Sequence, residues 1–436
     1  MVKKTHKILH ICPHLGGGVG RFFANILACD RVNDHLFLLL EPPENPDFLS
    51  STSISWQLWD GNSKTLNSLV GLSSIVEIDF WNHPALLSFL NENPLRDVRV
   101  LLYSFVAGNA PPNIIPEAIV NYADWIALPG PSSLDDPKLL RILKRNSVIF
   151  ALGGVSRTSQ VKLVPHEKTV VSYVGTAGHE KLHPNFIYAC NRILKRHPNT
   201  QFQLATNDTS DHLKSETISL NISEQFDFQV KVNDIAKFHR YSDIFGYPLK
   251  SDHYGTAEQA LLEAMGAGIP PVVLDNHAET YLIEDGRTGL VASSIDQYAD
   301  LVSFLIENPE FRLKLGHNAR CYAADEFAAY KTMEKLHSTY NEIASLPCKD
   351  RLLEVEFLTN ENRGWTLFTL CLGQNAPPIL YDKSTCITEK NYWLMKSKSL
   401  SYTKSKKKGG LLHYLEYFPN DRKLISFHQN LVSRSS

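Results

Sequence analysis

Residues 244–291 read IFGYPLKSDHYGTAEQALLEAMGAGIPPVVLDNHAETYLIEDGRTGLV. An apolar run at Ile244–Pro248 has strand length, a polar loop follows, and a helical pattern leads to a second strand at Pro271–Leu274. Thr256-Ala257-Glu258-Gln259 fits a capping box, which predicts that the helix begins there. Ala257, Ala260, Leu261, Ala264 and Met265 recur at the spacing of one buried helix face. Glu263 falls off that face at about 100° per residue, so it is expected to face solvent. Gly266 and Gly268 are expected to end the helix. This order sets a carboxylate beside the carboxyl ends of parallel strands, where open α/β sheets bind ligands. Such a group can accept both hydroxyls of a ribose, although a solvated helix-face glutamate is the plainer alternative.

Outward from this stretch the same grammar repeats. Strand-length apolar runs occur at Lys7–Cys12, His35–Leu40, Ile54–Trp59, Val76–Trp81, Val98–Ser104, Trp125–Leu128 and Ser147–Leu152. Helical stretches such as Gly20–Cys29, Pro84–Asn91 and Asp136–Lys144 fall between them. After a polar linker at Gly153–Lys168, a second set begins with Val170–Gly175, Gln201–Ala205 and Phe226–Val230. Alternation of this kind implies α/β architecture with parallel sheets. The expected domains are a Rossmann-like one over 1–160, a second over 161–345, and a C-terminal extension over 346–436. Two doubly wound domains joined by a linker imply a cleft between them.

The 436 residues leave room for two or three cores, and 43% apolar with 21% charged composition is that of a globular protein. A formal net charge of −2 argues against bulk nucleic-acid binding. Cysteines at 12, 29, 190, 321, 348, 371 and 386 are not spaced as a zinc knuckle or redox pair. Reduced thiols in a cytoplasmic protein are the expectation. The N-terminal apolar run is one strand long and reads as neither signal peptide nor membrane span. The sequence shows no acidic cluster with metal-ligand spacing, and no metal or cofactor is expected.

The first strand runs into Cys12-Pro13-His14-Leu15-Gly16-Gly17-Gly18-Val19-Gly20-Arg21, with a helix expected from about Val19. Glycines let a backbone approach an anion closely, and a helix N-terminus offers free N–H groups to phosphate. Arg21 could add charge. Glycine-rich turns also serve packing alone. The Gly-Lys-Ser/Thr end of a P-loop is absent, and Arg21 stands where a dinucleotide fingerprint needs its third glycine. Glu41, beyond the second strand, keeps a nicotinamide enzyme open as a lesser reading.

Leu262-Glu263-Ala264-Met265-Gly266-Ala267-Gly268-Ile269-Pro270 before a valine-rich strand resembles the "LEAMA-x-G-x-PVV" signature of family-4 retaining glycosyltransferases. Asp285-Gly286-Arg287-Thr288-Gly289-Leu290-Val291 is similar to that family's "DG-x-TG-L-V" turn. Val174-Gly175 with Lys181 resembles its "VGR-xxxx-K" segment, and Gly16–Gly20 its N-terminal glycine loop. The resemblance covers roughly residues 6–345. It implies a GT-B fold, in which two Rossmann-like domains face a cleft, and a nucleoside-diphosphate sugar as donor. Glu263 would hold the ribose, Lys181 would neutralise the leaving diphosphate, and Gly17, Gly18, Val19 and Gly20 would approach its phosphates. His83, placed directly after a strand, is similar to a family histidine that positions and polarises the donor sugar; His14 is its rival.

The chain also departs from the family. Gly255 occupies the position of a glutamate that contacts the donor sugar, and Thr176 that of a diphosphate-binding arginine. Glu258 would lie about 140° around the helix from Glu263, which makes it a poor substitute. Asp252, His253 and Tyr254 are the expected replacements for the sugar contacts. Glu279 falls out of register with the family's "PE" element. In the tail, Tyr392, Trp393 and Tyr402 flank lysines between Lys396 and Lys408, a segment suited either to an anionic membrane surface or to a solvated linker. LLHYLEYFP beyond it reads as a short amphipathic helix ended by Pro419.

The expected function is therefore a metal-independent, retaining transfer of a hexose-type sugar to an unknown glycan, lipid-linked or protein acceptor. A sugar-nucleotide-binding protein with reduced turnover is the alternative.

Overall fold

The computed structural model describes residues 6–432 apart from 44–45, 109–111, 136, 144–146, 151–152, 156–163, 165, 179–180, 207–209, 231, 233, 252, 254, 256–257, 356–357 and 373–408. The chain forms two compact units, one of Met1–Gly16, Asp30–Ala151 and Lys335–Ser436, the other of Gly17–Cys29 and Leu152–Glu334. These bounds differ from the contiguous domains read from the sequence. The helix Gly17–Leu27 groups with the second unit, and the chain returns to the first unit within the helix Ala329–Ala344.

The first unit carries β1 (Lys7–Cys12), β2 (Asp34–Leu39), β3 (Ser55–Leu58), β4 (Ile75–Phe80), β5 (Leu95–Val98), β6 (Val100–Ser104), β7 (Trp125–Leu128) and β8 (Ser147–Phe150). All but β5 form a parallel sheet in the order β3-β2-β1-β4-β6-β7-β8. Burial on both faces explains why β4 and β6 are covered along their whole length; β6 reads as a mostly apolar run, whereas β4 carries Glu77 and Asp79 between its apolar residues. The sequence reads Val98–Ser104 as one strand; the structure breaks it. Asp97 adopts φ +55°, and β5 turns away to pair antiparallel with a strand at Lys349–Arg351. Asp350 holds that junction, accepting from the Asp97 N–H and from Arg96.

Much of the C-terminal segment is built into the first unit. Helices Arg363–Leu370, Leu411–Tyr417 and Arg422–Val432 interlock through Trp365 on Phe427 and Phe368 on Tyr414. The helix read from LLHYLEYFP is thus present, whereas the lysine-rich stretch Lys396–Lys408 lies outside the described residues. Among the described residues no helix is long and apolar enough to cross a membrane, and no disulfide joins the cysteines.

The second unit carries β9 (Val170–Val174), β10 (Gln201–Thr206), β11 (Phe226–Val230), β12 (Ile244–Tyr247), β13 (Pro271–Leu274) and β14 (Leu290–Ala292) in the parallel order β11-β10-β9-β12-β13-β14. Its core is the usual covering of such a sheet, with Val171, Tyr173, Phe245, Leu261, Met265 and Val302 all buried. Both sheets are doubly wound, as the alternation in the sequence implies.

The helix of the opening stretch spans Gln259–Ala267, shorter at its start than the sequence suggests. Thr256 and Ala257 lie outside the described residues, and no side chain caps this helix. Glu258 stands at the N-cap with φ +33°, and its carboxylate points elsewhere. The C-terminal end follows expectation. Gly268 takes φ +84°, a conformation that glycine adopts without strain, and its N–H closes onto Ala264 and Met265 carbonyls.

Candidate functional site

In the second unit the strand order reverses between β9 and β12, and the carboxyl ends of those strands form the switch point. Lys181 is pinned there by a Leu182–Leu249 bridge and by the Lys250 N–H bonding to its carbonyl. Its ammonium lies 2.8 Å from Glu258 Oε2 and 5.4 Å from the centre of the Tyr247 ring. The Tyr247 hydroxyl donates to the same carboxylate oxygen. His253 Nδ1 stands 3.8 Å from Glu258 Oε1, and its Nε2 stands 3.0 Å from Glu279 Oε1. Asn276 donates to the other Glu279 oxygen at 2.8 Å.

Glu258 and Glu279 are both buried, so each needs compensation. Burial alone would push the Glu258 carboxyl up; the charges of Lys181 and His253, with bonds from Lys181 and Tyr247, outweigh it and hold it below its ordinary range. Burial pulls His253 down, and Glu279 and Glu258 reverse that into a net rise. In the neutral form of the ring the Gly255 N–H donates to Nδ1 at 3.0 Å, and Nε2 carries the proton directed at Glu279. Tyr247 is driven well above its usual pKa by burial and by Glu258. This is a network of two carboxylates holding a lysine and a histidine at one sheet edge.

Glu263 lies one helical turn on. Its side chain is only 14% exposed, not solvent-facing as the periodicity suggests, because Arg21 and Gln259 cover it. Arg21 Nη1 is 3.4 Å from Oε2, and Gln259 donates to Oε1 at 3.2 Å. Burial raises the Glu263 carboxyl; Arg21 and Gln259 pull against this without cancelling it. Arg21 belongs to the helix Gly17–Leu27, which begins about two residues earlier than the sequence suggests. Gly17, Gly18, Val19 and Gly20 are consequently its first turn, where N–H groups lack intrahelical partners. A Cβ on Gly18 would meet nothing within 4 Å, so the turn is open there.

His83 sits in the first unit, at the carboxyl end of β4 beside that sheet's own reversal between β1 and β4. It is the N-cap of the helix Pro84–Glu92: Nδ1 accepts from the Ala85 N–H at 3.2 Å, which leaves the proton on Nε2, 3.4 Å from Glu41. The ring is 1% exposed and packed edge-on against Trp81, His14 and His413. Glu41, the acid that the nicotinamide reading requires, is thus the partner of His83.

The structure brings Lys181 and His253 into one network and sets Glu263 on the adjoining helix. Asp252 and Tyr254 lie outside the described residues. Sequence reasoning passed over Glu258, Glu279 and Tyr247, which complete the network. Where the resemblance expects an arginine, the Thr176 carbonyl is tied to the Tyr173 hydroxyl at 2.6 Å. The sequence also showed no acidic metal cluster, yet among the described residues folding assembles two groups whose ligand atoms lie within 4.8 Å: His253, Glu258 and Glu279, and in the first unit His10, Glu77 and Asp79.

Residues 155–321 match the family model of the group 1 glycosyl transferases. The chain is 26% identical over 195 residues to spore coat protein SA of Bacillus subtilis, covering 41% of this chain and 50% of that protein. It is 22% identical over 182 residues to the capsular polysaccharide biosynthesis glycosyltransferase CapM of Staphylococcus aureus, covering 40% and 47%. The chain therefore spans about half the length of the curated relatives it matches. Among solved structures it is similar to Anabaena Alr3699/HepE in complex with UDP and glucose, with a TM-score of 0.61, 14% identity, and coverage of 77% of this chain and 100% of that one. At that identity the likeness is one of fold, and the fold is GT-B.

Proposed function

We propose that the chain is a glycosyltransferase that moves a sugar from a nucleoside-diphosphate sugar to an acceptor, with retention of configuration and no metal ion in the transfer step. The observation that carries this reading is the Lys181–Glu258–His253–Glu279 network at the β9/β12 switch point, inside the residues that match the family model. Glu263 accepts the ribose hydroxyls. Lys181 and Arg21 meet the diphosphate, joined by the first-turn N–H groups of Gly17, Gly18, Val19 and Gly20. Negative charge grows on the leaving diphosphate as the glycosidic bond breaks, and a fixed, partly desolvated lysine stabilises that charge best. Glu258, His253 and their loop neighbours Asp252 and Tyr254 contact the sugar. His83 serves as a positioning and polarising group rather than a nucleophile. The acceptor is a glycan, a lipid-linked saccharide or a protein, reached in the cytoplasm, with Lys396–Lys408 as a peripheral membrane contact.

The test is thermal stabilisation by UDP, GDP or ADP, followed by a donor-hydrolysis screen. The reading expects a shift with one nucleotide that Glu263→Ala removes. No shift with any of them would overturn it.

A second reading rests on the ion pair between Lys181 and Glu258. With its charge already answered, and Thr176 in place of an arginine, the site would bind a sugar nucleotide without turning it over. Stabilisation by a nucleotide with no hydrolysis or transfer of any donor favours this version.

A further inference from the structure

Arg21 holds the carboxylate on which the ribose is expected to bind. Both oxygens of Glu263 are taken: Oε2 faces Arg21 Nη1 at 3.4 Å, and Oε1 accepts from Gln259 at 3.2 Å. The other arm of the same guanidinium, Nη2, donates to the Val232 carbonyl at 3.1 Å. With Glu263 only 14% exposed, a ribose reaches it only after a covering side chain has left.

The two covering groups are not equally free to leave. Gln259 is neutral and also donates to the Gly154 carbonyl at 3.3 Å. Arg21 is 24% exposed, and its pairing with Glu263 is longer than the roughly 2.7–2.9 Å usual for an arginine on a carboxylate. Lys181, by comparison, stands 2.8 Å from Glu258. The backbone beneath Arg21 is anchored, because Asn25, one turn on along the helix Gly17–Leu27, donates to the Gly154 carbonyl at 2.6 Å. The side chain can therefore swing while its helix stays in place.

Charge decides which ligands make it swing. Among the described residues Glu263 is the only carboxylate paired with Arg21. His239 answers none of that charge: burial, with Arg21 itself, drives its ring down to about 3, so it is neutral. A nucleoside that took Glu263 would leave a part-buried guanidinium without its counter-charge, which is costly. A nucleoside diphosphate brings its own anion to the first turn of the helix, where the N–H groups of Gly17, Gly18, Val19 and Gly20 lie. Arg21 then changes partner, from carboxylate to phosphate, and no charge is stranded.

We propose that Arg21 is a placeholder for the ribose on Glu263, and that it selects nucleoside diphosphates over nucleosides by exchanging Glu263 for the phosphates as they bind. The inference rests on the nucleotide-sugar reading above. It adds that one side chain opposes the nucleoside half of the ligand and favours the phosphate half.

Isothermal titration calorimetry compares the wild-type chain with Arg21→Met, which keeps an unbranched stem and removes the charge. The probes are whichever of UDP, GDP and ADP binds the wild type, and its parent nucleoside, uridine, guanosine or adenosine. Arg21→Met should bind the nucleoside about tenfold more tightly and the diphosphate about tenfold more weakly, the worth of one charge-assisted bond in each direction. A nucleoside affinity that is unchanged, weakened or undetectable in both proteins overturns the proposal, because Arg21 would then hold nothing shut. An unchanged or tighter diphosphate overturns it too, because Arg21 would then only block. A wild type that binds none of the three diphosphates overturns the nucleotide-sugar reading and this proposal with it, so the two failures are told apart. Should Arg21→Met fail to fold, Arg21→Lys decides: its point charge cannot span Glu263 and Val232 together, so the nucleoside should still tighten. An unchanged nucleoside affinity in that variant is equally fatal.

Discussion

The space that a side chain on Gly255 would fill is occupied by the carboxylate of Glu258: a Cβ built on Gly255 overlaps Glu258 Oε1. The missing glutamate at 255 and the inward turn of Glu258 are therefore one structural fact. Bare backbone at 255 lets Glu258 leave the helix line, adopt φ +33° and reach Lys181. Gly255→Ala should push that carboxylate off Lys181 and lower stability by about 1–3 kcal/mol, the usual range for overpacking a buried site. A double-mutant cycle with Glu258→Ala measures the coupling by thermal or denaturant unfolding. Additive losses would show that the two positions do not share the space.

The Lys181–Glu258 pair also predicts a pH dependence. The folded pKa of Glu258 lies below its unfolded value, so its contribution to stability is complete above the unfolded value of about 4.5 and is lost as pH falls through the lower folded value. The Tm difference between wild type and Glu258→Gln should thus be largest near about pH 7 and shrink in acid below about pH 4.5. A difference that stays constant down to the acid transition would contradict the ion pair.

His83 combines a cap with a proposed role toward the donor, and two substitutions separate these. Loss of a side-chain cap costs about 1 kcal/mol, so His83→Ala should unfold earlier, while asparagine, a good N-cap, should recover most of that stability. If His83 polarises the donor sugar, His83→Asn remains stable but loses kcat with little change in KM. Full activity in the stable asparagine variant would leave His83 only its capping and its contact with Glu41.

Much of the fold was legible because parallel strands covered on both faces appear as unbroken apolar runs. β7 and β13 fall where the sequence places them. What escaped was set by contacts distant in sequence. β5 exists because Lys349–Arg351 returns to pair with it. Glu258 carries the local signature of a helix start, yet a half-buried lysine 77 positions upstream is a stronger partner than free N–H groups. His10, Glu77 and Asp79 lie in strands that read as ordinary from local pattern, and only the pairing of β1 with β4 places them together. Glu263 was found through its helix phase, but its burial by Arg21, 242 positions away, was not.

That burial makes Glu263 a point of conflict between stability and binding. Its folded pKa is raised, so its contribution to stability is greatest below the unfolded value and is lost as pH rises through the folded one. Near neutral pH the ionised carboxylate is held in the folded protein at a net cost that Arg21 only partly offsets. Glu263→Gln removes the charge while keeping a hydrogen-bonding group for Gln259, and should raise the Tm of the ligand-free protein. The same change should abolish stabilisation by a nucleoside diphosphate, because a neutral amide accepts two ribose hydroxyls less well than a carboxylate. Parallel thermal melts with and without the nucleotide check both halves. A variant with unchanged or lower ligand-free Tm would contradict the burial argument, and one that keeps the nucleotide shift would remove Glu263 from the ribose.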